Sequence, residues 1–272
     1  LLAADLQADL NLLRDAALEA GNIAMTYFHS DLKIWEKEPD HPVTDADLAV
    51  NTFLEEKLRG ARPDYGWLSE ETQDGPERLS RDCVFVVDPI DGTRAFMEGK
   101  PHFCIALAIL EFGEPVAAVI YAPVFNELFV AGKGLGATRN GETITSSPKP
   151  ELEKARIIAD PRMFSPDHWD VPWPELVFPD VTPNATAYRM ALVADGRWDA
   201  VVVLREKFDW DVAAAALIIA EAGGRVSCHI GDDFVFNRKV ASQRSLIAAG
   251  PVVHELIVQR VNHLVLPEPG DS

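Results

Sequence analysis

The chain has 272 residues, of which 47% are hydrophobic and 25% charged, and a formal net charge of −18. That length allows one large globular unit or two small ones, and the composition excludes a disordered chain. The acidic balance argues against binding a nucleic-acid backbone, which needs clustered Lys and Arg, but an anionic substrate stays open because metal ions can invert the sign inside a site.

The cysteines Cys83, Cys104 and Cys228 are odd in number and in no C-x-x-C spacing, so free thiols in a reducing cytoplasm fit best. No histidine spacing suggests zinc. The longest apolar run, near Val212 to Ala220, is too short to span a bilayer. The first residues lack a basic region followed by an apolar stretch, so neither a leader nor a membrane partner is expected.

In chain order, Leu6, Leu10, Leu13, Ala17, Ala24 and Phe28 keep helical period and predict an amphipathic first helix. "LKIWEK" alternates like a strand. Thr44 with Asp47 resembles a capping box, opening a helix that runs to Gly60. "GWLSEE" and "CVFVVD" read as short strands. A meander follows through "HFCIALAIL", "PVAAVIYAP", "ELFVAGKG" and "GATRNGETI". From about residue 144 a second block begins: a strand at "RIIAD", an irregular Pro-rich loop over 161–183, a helix at "TAYRMALVADG" and a strand at "WDAVVVLR". It ends with a helix at "WDVAAAALIIAEAGG", a strand at "SLIAAG" and a last helix entered through Pro251. "LPEPGDS" reads as a frayed tail. Mixed helices and meanders predict an α+β layered fold.

Acids cluster in "VTDAD", "SEET", "DPIDGT" and "FDWD". Each cluster lies at a strand end or helix start, where one carboxylate can be a cap; Asp45, Glu71 and Asp209 keep that capping or solvated reading. "DPIDGT" needs more. Asp88 ends an apolar run, where an unpaired carboxylate is costly, and Pro89 removes a donor and stiffens the turn. Asp88 and Asp91 can then share a space with the carbonyl of Ile90. Those hard oxygens suit Mg2+, Mn2+ or Ca2+. Gly92 permits close approach, and Thr93 opens a helix whose N–H groups can seat a phosphate. Cation beside phosphate is the working part of metal-assisted phosphoryl transfer.

"DPIDGT", with "SEET" and "PVTDAD" upstream and "WDVAAA…EAGG" near the C-terminus, resembles the inositol monophosphatase family of metal-dependent, lithium-sensitive phosphatases, over nearly the whole chain. The family fold is a layered α-β-α-β-α sandwich of the sugar-phosphatase type, commonly a homodimer. The resemblance implies an N-terminal half over 1–143 with most metal ligands and a C-terminal half over 144–266 with Asp211 and the specificity determinants. The two halves pack as one unit, followed by the tail, 267–272. It makes Glu70, Asp88, the Ile90 carbonyl, Asp91 and Asp211 ligands of two or three Mg2+ ions, with Mn2+ possible and Ca2+ or Li+ inhibitory. Thr93 and Asp47 match a pair that positions the attacking water with Glu70, and Gly92 and Thr93 hold the phosphate.

The implied activity is hydrolysis of a small phosphorylated polyol or sugar, such as inositol monophosphate, by metal-activated water. The substrate region departs from the inositol pattern. "PNATAYRM" replaces a Gly-Ser or Gly-Thr pair, and a hydroxyl-binding carboxylate six before Trp210 falls on Leu204, so Glu206 would need a shifted register. Arg189 matches a basic residue of the nucleotidase branch that meets a second phosphate, or is an exposed helix arginine. Adenosine 3′,5′-bisphosphate and histidinol phosphate are therefore alternative substrates, and Arg189, Asp211 and Glu206 the candidate substrate contacts. A regulatory binding protein on the same fold is the alternative of another class. Lys37 is a further candidate near phosphate. Trp67 and His102 read as packing residues.

Overall fold

The computed structural model describes residues 3–38 and 41–270; the side chain of Lys37 lies outside the described residues. Its helices are α1 (Ala3–Tyr27), α2 (Asp45–Ala61), α3 (Thr93–Met97), α4 (Thr186–Ala194), α5 (Asp209–Glu221) and α6 (Pro251–Val261). A seven-stranded sheet uses Gly66–Ser69, Cys83–Asp91, Cys104–Glu111, Glu114–Ala122, Glu127–Gly132, Gly136–Arg139 and Glu142–Thr143, side by side in chain order. Its first pair is parallel and the rest antiparallel. A five-stranded sheet runs Leu176–Val177, Ala155–Ile158, Ala200–Val203, Leu246–Ala249 and Arg225–Ser227 in spatial order.

Side-chain alternation sorts these elements into layers. Along Cys83–Asp91, Phe85 and Val87 pack with Leu13 and Ala17 of α1 and Leu54 of α2, whereas Val84 and Val86 face α4 and α5. The second sheet divides likewise: Val201 and Ala248 join the α4–α5 side, and Val202 and Ile247 pack with Val253 and Ile257 of α6. The result is the expected α-β-α-β-α sandwich. Helix α5 lies between two sheets, so it is apolar nearly all round, with Val212, Ala213, Ala214, Ala215, Leu217, Ile218 and Ile219 buried.

The capping box at the start of α2 is present: Thr44 N–H donates to Asp47 Oδ2 at 2.8 Å and Asp47 N–H to Thr44 Oγ1 at 3.4 Å. Trp67 packs on Phe85 and donates to Thr72. His102 rests against the rings of Phe125 and Tyr188.

Several expectations need correction. Residues 161–183 hold two 3₁₀ turns and the edge strand Leu176–Val177, tied down by contacts among Phe164, Trp169, Trp173 and Phe178. The short strands Lys207–Phe208, Arg225–Ser227 and Ser242–Gln243 carry too few residues for a readable period. Asp209 is neither solvated nor a cap. It is fully buried and accepts from Asn237 N–H and Gln243 Nε2, pinning the 235–243 loop to α5. The tail is anchored up to Gly270, through a Glu268–Arg244 ion pair and the Gly270 N–H on Glu206.

Helix α1 is locked to the end of α2 by Asp9, fully buried, which accepts from Arg62 Nε at 2.9 Å and from the Tyr65 hydroxyl at 2.9 Å. Asp9→Ala strands both donors, although Arg62 can partly rehydrate. The expected cost is about 2 kcal/mol, read as a lower urea midpoint with an unchanged m-value.

Candidate active site

The strand Cys83–Asp91 does not end at Asp88, as its sequence suggests. It continues to Asp91 through a bulge: Asp88 pairs with Ala106, but Asp91 pairs with Cys104, so the strand holds one more residue than its partner there. Residues three apart on a regular strand point to opposite faces. The extra residue restores Asp88 and Asp91 to the same face, where Asp211 joins them from the first turn of α5. One oxygen from each of the three lies within 4.8 Å of the others. Glu70 lines the same cavity, held at the end of the neighbouring strand by its N–H bond to Val87 O at 3.2 Å.

The three carboxylates are neutralised unequally. Asp91 accepts from the N–H groups of Thr186, at 3.0 Å, and Ala187, so the N-terminus of α4 faces it. Asp211 accepts from the Phe208 N–H at 3.0 Å and from Lys207 Nζ at 3.2 Å. Asp88 Oδ1 is buried with no hydrogen-bond partner among the described residues. Burial, with the charges of Glu70, Asp91 and Asp211, holds the Asp88 carboxyl well above the usual carboxylate range. Burial first, then Asp211, pushes Asp91 up to about 7. A buried orphan oxygen among further hard donors is what a divalent cation of the Mg2+ class would complete, so these residues fit such an ion.

Beside the acids, Thr93 Oγ1 donates to Asp47 Oδ1 at 3.0 Å and lies 3.2 Å from the Ile90 carbonyl. The capping box that starts α2 thus also fixes the acceptor of Thr93. Gly92, at φ 95°, opens α3; a Cβ there would meet the His102 carbonyl at 3.0 Å and Ala185 at 3.1 Å, so a side chain would close this corner.

Glu70, Asp88, Asp91, Asp211, Gly92 and Thr93 open on one cavity of about 770 Å³, with Asp47 and Ile90 behind its lining. Arg189 and Glu206, candidates from sequence, also line it. Arg189 donates to the carbonyls of Pro183 and Asn184, which aim the guanidinium. Glu206 Oε1 is already engaged by the Ser242 hydroxyl and the Gly270 N–H. Sequence reasoning missed Arg94, Arg205, Lys207 and Phe208 in the lining. The signal available was the alternating run "REK" just before "FDWD" and the four-residue spacing of Lys207 from Asp211.

The acids set a pH dependence for metal-free protein. Asp88 and Asp91 have folded-state pKa values above the unfolded value near 3.8. Their favourable contribution is therefore complete below that value and is lost as pH rises through about 7. In EDTA the melting temperature should fall as pH rises from about 4 toward about 7. Asp88→Asn should flatten that slope and melt higher than wild type at the upper end.

The model of the inositol monophosphatase family matches residues 5–266. The chain is 33% identical to Nus factor SuhB of Xylella fastidiosa, over 82% of this chain and 83% of that one. It is 34% identical to an inositol-1-monophosphatase of Rhizobium meliloti, over 79% and 83% respectively. The crystal structure of extragenic suppressor protein suhB from Bartonella henselae superposes with a TM-score of 0.79 at 28% identity, covering 95% of this chain and 100% of that one. With a family match over nearly its full length and the same fold, the chain belongs to the inositol monophosphatase family.

Proposed function

We propose that the chain is a Mg2+-dependent phosphomonoesterase that hydrolyses a small phosphorylated polyol or sugar, such as inositol monophosphate. The observation that carries this reading is the unpartnered, buried Asp88 Oδ1 within the Asp88–Asp91–Asp211 cluster. Glu70, Asp88, the Ile90 carbonyl, Asp91 and Asp211 would hold the metal. When bound, Mg2+ supplies Lewis acidity for the attacking water and positive charge for the leaving oxygen.

The remaining work falls to the chain. The Thr93 proton is committed to Asp47, which leaves the hydroxyl oxygen as an acceptor. Thr93 and Glu70, both lining the cavity, together accept the two protons of one water and turn its lone pair toward phosphorus. N–H groups of Gly92 and Thr93 seat the phosphate, and Arg94 and Lys207 add positive charge to the same wall. No protein nucleophile is required. No described helix is long and apolar enough to cross a membrane. The cysteines, all unpaired, support a reducing cytoplasm, and the family resemblance supports a homodimer.

A bisphosphorylated nucleoside is the second reading, favoured by Arg189 and Arg205. Both line the cavity and neither has a carboxylate partner among the described residues. The retained acid cluster weighs against a binding role without catalysis.

Phosphate release from inositol 1-phosphate, adenosine 3′,5′-bisphosphate, histidinol phosphate and fructose 1,6-bisphosphate, with and without Mg2+, tests these readings. Release from the first that requires Mg2+ is expected. A large preference for the adenosine compound, reduced by Arg189→Ala, would select the second reading; no release from any substrate sinks both. Asp88→Asn should abolish turnover while the protein stays folded. Thr93→Val should lower kcat about a hundredfold with little change in KM, measured under saturating Mg2+.

A further inference from the structure

Lys207 is largely withdrawn from solvent. Its side chain is 13% exposed, and its Nζ lies 3.2 Å from Asp211 Oδ2, on a side chain 14% exposed. No other partner for its ammonium is found among the described residues. Lys207 also precedes the N-terminus of α5, where the helix dipole disfavours a cation. What holds it there is the acid cluster, and its charge acts on Asp91 as well as on Asp211.

The cluster is therefore polarised. At the Asp88 end, Oδ1 has no donor among the described residues. At the Asp211 end, one positive charge is already supplied by the chain. A divalent ion bound to Asp211 would face that ammonium at short range in a partly buried site, where like charges repel strongly. The first ion has no such obstacle at the Asp88 end. The lysine stem is long and flexible, and Lys207 lines the cavity shared with Gly92 and Thr93, so an incoming phosphate offers its ammonium another partner.

We propose that Lys207 is a built-in counter-cation that closes the Asp211 end of the acid cluster to a divalent ion until a phosphate group draws its ammonium away. This rests on reading the cluster as a Mg2+ site. It deepens that reading by making the second ion arrive with phosphate rather than before it.

Mn2+ titration followed by electron paramagnetic resonance tests the idea without turnover, using wild type, Lys207→Met and Lys207→Arg, each with and without inorganic phosphate. Circular dichroism confirms that each variant is folded. Wild type should bind one Mn2+ tightly and a second only when phosphate is present. Lys207→Met should bind the second ion about ten- to a hundredfold more tightly without phosphate, on the scale of other outer contacts to metal ligands. Lys207→Arg keeps the charge and should behave as wild type. Superimposable titrations of wild type and Lys207→Met, each with bound Mn2+, would overturn the role of Lys207 and leave the metal reading standing. No Mn2+ bound by any form would overturn both. If Lys207→Met fails to fold, wild type alone decides: a second ion indifferent to phosphate overturns the proposal.

Discussion

Gathering three carboxylates within 4.8 Å, two of them buried, is the constraint on which this structure turns. Left alone, such a group would protonate or push itself apart. The fold answers with a different device at each acid. Asp91 is met by two amides of α4 and Asp211 by an amide and a lysine, while Asp88 Oδ1 meets no partner among the described residues. The unmet oxygen of Asp88 marks where the cluster could hold a cation.

The sandwich is arranged to hold that cost in place. Asp88 and Asp91 sit on the second strand of the seven-stranded sheet, which is packed on both faces. Asp211 rides on a helix gripped between two sheets, and Asp47 on a helix whose cap fixes its side chain. Rigid supports of this kind keep like charges together without letting them relax. By contrast, the part of the cavity around Asn184 and Arg205 is built from loop ends, where side chains can change without disturbing either core.

Legibility in the sequence followed distance along the chain. "DPIDGT" and Thr44–Asp47 carry their chemistry within a few residues, so turn and cap rules reach them. The layered fold was readable because apolar periods and Gly or Pro breaks are local as well. The bulge was not, because a bulge is defined by the partner strand and shows only as an odd spacing of acids. Nor was the pairing of Asp91 with the amides of Thr186 and Ala187, which lie 95 and 96 residues further on. Asp209 was misjudged for the same reason: its partner Gln243 comes from a segment with no period of its own.

The position of α5 also bears on how the chain is made. Strands up to Gly132 present Val84, Val86 and Ala118 to a helix that begins only at Asp209. During synthesis the first sheet therefore emerges with one wide apolar face uncovered, and it stays so while some eighty further residues are added. Contacts this far apart in sequence slow folding. A nascent chain of this architecture has a built-in interval of stickiness, closed only when the helix bearing Asp211 docks.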